Sequence, residues 1–296
     1  MARDGYAWWY VDALSDDGAH ALTLIAFIGS VFSPYYAAAR RRVPADPEQH
    51  VAVNVALYGP RAERWTMTER GRQHLERDAA HLRIGASTLR WQGDELDVEI
   101  DEWSVPWPRR VRGRLRLCAL ALPATAFALD AAARHRWQPI APLARVEIEF
   151  DAPALRWSGN AYLDHNAGDE ALESAFAHWS WSRRALDDGG AEMHYDVQRR
   201  DGSSLALALA CRRDGRLVAT EPPATTTLPR TRWGLARPAR GPVTLLRTLE
   251  DGPFYARSLL RGGEGGPFAV HESLSLERFS RRWVRTLLPF RMPRRA

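Results

Sequence analysis

Short apolar or alternating runs, each closed by turn residues, dominate the chain and predict strands rather than helices. Trp8 to Val11, Leu22 to Phe27, Val51 to Tyr58 and Arg64 to Thr68 predict four strands. Leu82 to Ile84 and Ser87 to Trp91 follow, then a turn at Gln92-Gly93-Asp94 and a strand over Glu95 to Glu102. In that run Leu96, Val98 and Ile100 fall on one face and Glu95, Asp97, Glu99 and Asp101 on the other, as in a half-solvated antiparallel strand. Val111 to Leu122 repeats the pattern, with Arg110, Arg112, Arg114 and Arg116 on the polar side, so the acidic and basic strands are expected to pair. A second series follows Pro153: Ala154 to Leu163, Ala175 to Leu186, Met193 to Arg199, Ser204 to Cys211, Leu217 to Thr220, Trp233 to Leu235, Val243 to Leu249 and Tyr255 to Arg261. Asp188-Gly189-Gly190, Asp201-Gly202, Asp214-Gly215 and Gly262 to Gly266 mark turns between them. Helices are few. Ser33 to Arg42 reads as a short helix or a loop, and Leu274 to Leu288 has helical spacing with Leu276, Phe279, Trp283 and Leu287 on one side.

Pro139, Pro142 and Pro153 bracket an expected junction between two β units, at 1–155 and 156–296, the second ending in a basic tail. The strand count fits two antiparallel barrels or sandwiches in tandem better than one barrel. The 296 residues allow that division. Twelve Trp are many for this length, and they either line an apolar cavity or fill a β core. The net charge is +5 and every basic residue is Arg. These Arg are scattered among acids and form no recognisable module, which argues against a nucleic-acid partner while suiting an anionic membrane face. Cys118 and Cys211 are far apart and carry no metal-ligand spacing. The first residues do not read as a signal peptide, and the apolar stretch Ala21 to Phe32 is too short to span a bilayer, so the expected location is the cytoplasmic side.

No nucleophile, phosphate-binding, zinc-protease or dinucleotide motif is present, and neither a cofactor nor a metal is expected. Gly262 to Gly266 reads as a loop, and His271-Glu272 as a local structural pair. The segment His165 to Glu170 reads as a turn leaving a strand. The chemistry concentrates at W-S-G-N-A-Y-L-D-H-N-A-G-D-E, Trp157 to Glu170, together with His135-Arg136-Trp137. Side chains two apart share a strand face, so Tyr162 lies beside Asp164 and His135 beside Trp137. Asp164 alone reads as a turn cap. An acid facing a phenol, an indole and an imidazole reads instead as a carboxyl group in a water-poor aromatic site. Gly159 permits close approach of a ligand or a neighbouring strand.

Several long strings then carry a resemblance: G-Y-A-W-W-Y-V-D-A-L-S-D-D-G at Gly5 to Gly18, I-A-F-I-G-S-V-F-S-P-Y-Y at Ile25 to Tyr36, and N-V-A-L-Y-G at Asn54 to Gly59. W-T-M-T-E-R-G at Trp65 to Gly71, D-E-W-S-V-P-W-P at Asp101 to Pro108, H-R-W-Q-P-I-A-P at His135 to Pro142 and the C-terminal W-V-R-T-L-L-P-F-R-M-P-R continue it over nearly the whole chain. With them the sequence resembles the carotenoid 1,2-hydratases of carotenoid-producing bacteria, the hydroxyneurosporene synthase family. Asn160 and His165 are local departures beside the acid.

The resemblance implies an all-β protein of two lipocalin-like (calycin) barrels with few short helices and a C-terminal helix. It implies a cofactor-independent hydro-lyase that adds water to the terminal C1–C2 double bond of acyclic carotenoids such as neurosporene or lycopene, giving the tertiary 1-hydroxy product. Carried onto matching positions, it makes Asp164 the proton donor and His135, Trp137 and Tyr162 its site partners. The implied partners are the carotenoid and water, with peripheral contact to the inner or photosynthetic membrane through the tail Arg278 to Arg295 and with other carotenoid-pathway enzymes. Two rivals differ in class. One is a lipocalin-like carrier without chemistry, which needs no acid, and the other is a lipocalin-like pericyclase, which needs shape and hydrogen bonds only.

Overall fold

A computed structural model of the chain describes residues 1–263 and 265–295; Glu264, inside the expected glycine-rich turn, and Ala296 lie outside the described residues. The chain divides into two compact units, 1–171 with the C-terminal stretch from Thr286, and 172–285.

The first unit opens with β1 (Tyr6–Ser15), β2 (Ala21–Ile28), α1 (Pro34–Arg40), β3 (Val51–Tyr58) and β4 (Arg64–Arg70). It continues through β5 (Leu75–Arg77), β6 (His81–Ile84), β7 (Ser87–Gln92), β8 (Glu95–Trp103), β9 (Arg110–Ala119), β10 (Phe127–Ala128), β11 (His135–Ala152) and β12 (Ala154–Gly168). All twelve strands lie in one antiparallel sheet of order β4-β3-β2-β1-β12-β11-β9-β8-β7-β6-β5, with β10 beside β11. The sheet curls. Thr66 of β4 bridges Ser104 just beyond β8, and Val105 N–H donates to the Trp65 carbonyl at 3.0 Å. The expected acidic–basic pairing is present: Asp97 lies opposite Arg116, Glu99 opposite Arg114 and Asp101 opposite Arg112.

Alternation assigns each face of this sheet a separate task. Val11 and Ala13 of β1, Leu22 to Ile28 at every second position of β2, Val51, Val53 and Val55 of β3, and Ala161 and Leu163 of β12 join one aliphatic core with residues of β8, β9 and β11. The intervening positions, Tyr6, Trp8, Tyr10 and Asp12 of β1 with Tyr162, Asp164 and Asn166 of β12, form the other face and are also buried.

The expected boundary at 155/156 falls inside the β11–β12 hairpin. β12 pairs along its length with β11 and from Gly159 to Gly168 with β1, so it belongs to the first unit. Pro139 and Pro142, expected to interrupt the chain, lie within β11. They sit where its register against β12 shifts and ahead of the stretch paired with β9, a position in which a missing N–H costs no ladder bond.

The second unit holds α2 (Leu172–Ala175), β13 (Phe176–Ala185), β14 (Ala191–Arg199), β15 (Ser204–Cys211) and β16 (Leu217–Thr220), then β17 (Thr225–Leu228), β18 (Arg237–Arg240), β19 (Val243–Asp251), β20 (Tyr255–Gly262), β21 (Phe268–Ser275) and α3 (Leu276–Phe279). Its sheet has the order β16-β15-β14-β13-β21-β20-β19, and β17–β18 form a separate hairpin. The expected strand at Trp233 to Leu235 is a turn, with Gly234 N–H donating to the Thr231 carbonyl. His271 and Glu272 point to opposite faces of β21. The imidazole bonds the Pro238 carbonyl at 2.8 Å, whereas Glu272 accepts from Tyr255 and Arg257.

The expected helix Leu274 to Leu288 is instead the end of β21, the short α3, and α4 (Arg282–Arg291), whose turns from Thr286 count with the first unit. Leu276 and Phe279 are buried as expected, but α4 buries Val284 and Leu288 and exposes Trp283 and Leu287. The break at Ser280-Arg281 resets the helical phase, so one stripe does not run through both helices.

Candidate active site

β12 runs between β1 and β11, so side chains from three strands meet over it. Tyr10 lies opposite Asp164 on one side and Pro139 on the other; Trp8 and Trp137 flank Asn166; Tyr6 and His135 flank Gly168. Asp164 is mid-strand and 3% exposed, not a turn cap, and the strand continues to Gly168 beyond the expected turn at His165.

Three donors converge on its carboxyl group. Trp137 Nε1–H and the Tyr162 hydroxyl each donate to Oδ2 at 2.8 Å, and Asn166 Nδ2 donates to Oδ1 at 3.3 Å. Their parents are all buried, so the hydrogen bonds are made where water competes poorly and geometry is well fixed. The Tyr10 ring stands edge-on to Tyr162 with centroids 6.4 Å apart, and Phe127 of β10 lies 5.6 Å from Trp137. An acid oriented by these donors among aromatic rings can present a proton to an apolar molecule, and the rings offer π-density to the cation that results.

His135 is held in a second network. Its Nδ1 is 2.8 Å from the Tyr6 hydroxyl and its Nε2 3.4 Å from Glu170 Oε1, while its backbone N–H donates to Asp130. A carboxylate only accepts, so Nε2 carries the proton toward Glu170 and Nδ1 accepts from Tyr6. Burial pushes the imidazole below its ordinary range, with Glu170 opposing, which favours the neutral ring. Burial likewise raises the Tyr6 phenol well above its usual value, reinforced by Asp130. Tyr6 also stacks on Trp8 at 5.0 Å.

This second network depends on Gly168. Tyr6 and His135 come from strands on either side of β12 and bond to each other across it. A Cβ at Gly168 would stand 2.4 Å from Tyr6 Cε1 and 2.7 Å from His135 Nδ1. Gly159 permits close approach too, but of a strand: an added Cβ there would strike the Leu14 carbonyl at 2.0 Å.

Of the four expected site residues, Trp137 and Tyr162 bond Asp164 directly, and His135 bonds Tyr6 and Glu170 one pair further along the sheet. Asn166, Tyr6 and Glu170 join the arrangement without having been singled out. Asn166 was legible from the alternation 162, 164, 166, and Tyr6 from the even-position aromatics of Tyr6, Trp8 and Tyr10; Glu170 carried no such signal. His165 neighbours the acid in sequence but points to the opposite face, against Trp9, where burial and then Arg136 lower it to about 4. Among the described residues no group of three His, Cys, Asp or Glu side chains is placed to hold a metal.

Comparison with known proteins adds family and fold. The chain is 52% identical to the acyclic carotenoid 1,2-hydratase of Thiocapsa roseopersicina over 98% of its length and 73% of the relative's. It is 50% identical to that of Rubrivivax gelatinosus over 99% and 74%, and 39% identical to that of Cereibacter sphaeroides over 92% and 98%. Two solved structures share the fold at low identity: an AttH-type protein of Nitrosomonas europaea (17% identity, TM-score 0.60, covering 91% of this chain and 92% of that one) and kievitone hydratase of Nectria haematococca (8%, 0.52, 93% and 90%). The family model of the carotenoid hydratase CrtC matches residues 24–296, and the chain belongs to that family.

Proposed function

We propose that this protein is an acyclic carotenoid 1,2-hydratase in which Asp164 is the proton donor. The observation that carries the reading is the buried Asp164 carboxyl, oriented by Trp137, Tyr162 and Asn166 within an aromatic face, in a chain half identical to hydratases of that name. An isolated trisubstituted alkene is a weak base, so its hydration calls for a positioned acid and a stabiliser of positive charge. Asp164 gives its proton to C2, and the π-electrons of the double bond form the new C–H bond, leaving a tertiary cation at C1. The faces of Trp137, Tyr162 and Tyr10 stabilise it by about 0.5–2 kcal/mol each when desolvated. Water adds at C1, and the proton it sheds restores Asp164, so the tertiary alcohol forms with no net change in the enzyme. The Tyr6–His135–Glu170 network fixes the neighbouring wall, and burial keeps the imidazole neutral.

The two units are read as two lipocalin-like barrels in tandem, the first drawn together by the Thr66–Ser104 bridge. The substrate is an acyclic carotenoid such as neurosporene or lycopene. The protein is proposed to work at the cytoplasmic side, peripheral to the inner or photosynthetic membrane and near other carotenoid-pathway enzymes, because such a polyene partitions into lipid. No described helix is long and apolar enough to cross a membrane.

Incubation with lycopene in ¹⁸O-labelled water tests the reaction: label should appear in a tertiary alcohol, whereas a carrier or a pericyclase leaves none. Asp164→Asn preserves size and most hydrogen bonds and should abolish the product while the melting curve stays cooperative. Near-normal hydration by that variant would refute the assignment of Asp164.

A further inference from the structure

We propose that the first unit carries a built docking surface for an anionic lipid bilayer, formed by the loop tip at Trp107 and the exposed side of α4 at Leu287 and Phe290. The proposal rests on the reading of the substrate as a lipid-soluble polyene.

Trp107 and Phe290 are 78% and 73% exposed, among the most exposed large apolar side chains of the chain. Leu287 lies one turn from Phe290 on the same side of α4 and is half exposed. Two observations bring the helix and the loop to one place. The Arg291 guanidinium lies 4.1 Å over the Trp65 ring, which fixes the end of α4 against β4. Val105, two residues before Trp107, donates its N–H to the carbonyl of that same Trp65. Both aromatic tips therefore flank one end of β4.

The loop is folded rather than slack. Ser104 N–H donates to the Arg109 carbonyl at 2.9 Å, Arg109 N–H donates to Ser104 Oγ at 3.0 Å, and Ser104 Oγ donates to the Trp107 carbonyl at 2.5 Å. Pro106 and Pro108 bracket the indole and further limit its backbone. An aromatic ring held out in water by a rigid loop has no stabilising role in the free protein, whereas Trp is favoured at the bilayer interface.

Charge names the partner. Within the first unit, residues 103–110 and 286–295 contain no acid and carry Arg109, Arg110, Arg291, Arg294 and Arg295. Arg294 is committed to Glu69 and Arg110 to Asp101. This narrows the expected basic tail: its apolar side chains make the insertion, and Arg109 and Arg295, both exposed, contribute the attraction to anionic headgroups.

The surface also lies on a direct line to the acid site. Trp65, Ala56, Thr23, Asp12 and Tyr162 form one cross-strand row on the same face of the sheet. Four strand spacings span roughly 19 Å, less than the length of an extended acyclic carotenoid. An extended polyene entering beside Trp65 is therefore long enough to span the distance to Tyr162 and Asp164 with part of its chain still in the bilayer.

The test compares the full chain with the W107S/F290S double variant. Flotation uses vesicles of phosphatidylglycerol mixed with phosphatidylcholine, and of phosphatidylcholine alone. The wild type should float with the anionic vesicles, and the variant should bind at least tenfold less. Both should melt alike and hydrate detergent-dispersed lycopene at the same rate, while only the wild type hydrates lycopene embedded in vesicles. Equal flotation of the two proteins, or no flotation of the wild type, overturns the proposal. So does a wild-type dimer that the double variant disperses without any vesicle binding, which would make the occupant a second copy. If neither protein hydrates lycopene in detergent, the reading of the activity fails while flotation still decides the surface.

Discussion

Replacing Gly168 by alanine tests whether the Tyr6–His135 pair across β12 matters. On backbone grounds alone the change should stabilise: Gly168 sits in extended strand, and removing a glycine's freedom from the unfolded chain is worth about 0.4–1 kcal/mol. Contact predicts the opposite sign. The new methyl group would stand 2.4 and 2.6 Å from two Tyr6 ring carbons and 2.7 Å from His135 Nδ1, closer than carbon atoms tolerate. Rings wedged between strands cannot swing clear as a flexible tip does, so overpacking of about 1–3 kcal/mol is expected. Losing the buried Tyr6–His135 bond adds about 1 kcal/mol. The net destabilisation is about 1–3.5 kcal/mol, which for a unit of this size lowers the melting temperature by roughly 2–14 °C. Hydration measured well below that melting point should fall at least tenfold, because His135 no longer holds its place next to Trp137. Tyr6→Phe loses the bond without adding bulk and should cost about 1 kcal/mol. In the double variant the bond is lost only once, so the two effects should fall short of additive by about that amount. A G168A protein that melts at or above the wild type and turns over normally would refute the reasoning.

Three further outcomes follow. Trp137→Phe keeps an aromatic ring but deletes the Nε1–H held by Asp164 Oδ2, and should cost about 1–2 kcal/mol of transition-state stabilisation, a five- to thirtyfold fall in kcat with little change in KM; an unchanged kcat would show that the indole does not orient the acid. Ending the chain after Met292 removes Arg294, whose guanidinium pairs with the buried Glu69 beside His50, and should destabilise the first unit by about 2 kcal/mol in chemical denaturation, with Glu69→Gln restoring part of the loss. His271, fully buried in the second unit, is lowered by that burial to about 4 from an unfolded value near 6.5. The unfolded chain therefore binds the proton first, the stabilisation is complete above pH 6.5, and about 3 kcal/mol is lost as pH falls toward 4; His271→Asn should flatten that part of the melting-temperature profile, and an unaltered profile would assign the acid sensitivity elsewhere.

Most strand positions were legible because alternation and turn glycines are local signals. Val51–Tyr58 and Ser204–Cys211 match the expected bounds, and the Asp97–Arg116 pairing follows directly from facing charge patterns. The misreadings share a cause, which is tertiary context overriding a local rule. Pro139 and Pro142 read as breaks, yet a strand at a register shift tolerates them, and the boundary lies one strand later, beyond β12. Trp283 and Leu287 read as one stripe with Leu276 and Phe279, but two residues between the helices rotate the second one. At the site, Tyr162 and Asp164 were readable as a pair two apart on one strand. That Tyr6, some 130 residues earlier, would bond His135 across Gly168 depended on the register of β1 and β11 against β12, which no local pattern specifies.

That register is set by the face of the sheet that does no chemistry. Along β1 and β12, Val11 lies opposite Leu163 and Ala13 opposite Ala161, within the aliphatic core, while Tyr10 lies opposite Asp164 and Asp12 opposite Tyr162 on the other face. A slip of one residue would drive the Asp164 carboxyl with Tyr162 and Asn166 into aliphatic packing and turn Leu163 toward Trp137, burying polar groups and losing the indole donor at a cost of several kcal/mol. Burial of Val11, Leu163 and their neighbours therefore keeps Asp164, Tyr162 and Asn166 together on the face that Trp137 shares. It follows that the two faces answer to different perturbations. Leu163→Ala should be read first in stability, at about 2–5 kcal/mol, with kcat falling only as far as the strand loosens, whereas its neighbour Asp164→Asn should be read in kcat while stability holds. Adjacent residues with opposite signatures would be evidence that one alternating strand carries both the core and the chemistry; a Leu163→Ala protein that keeps its stability but loses its activity would contradict it.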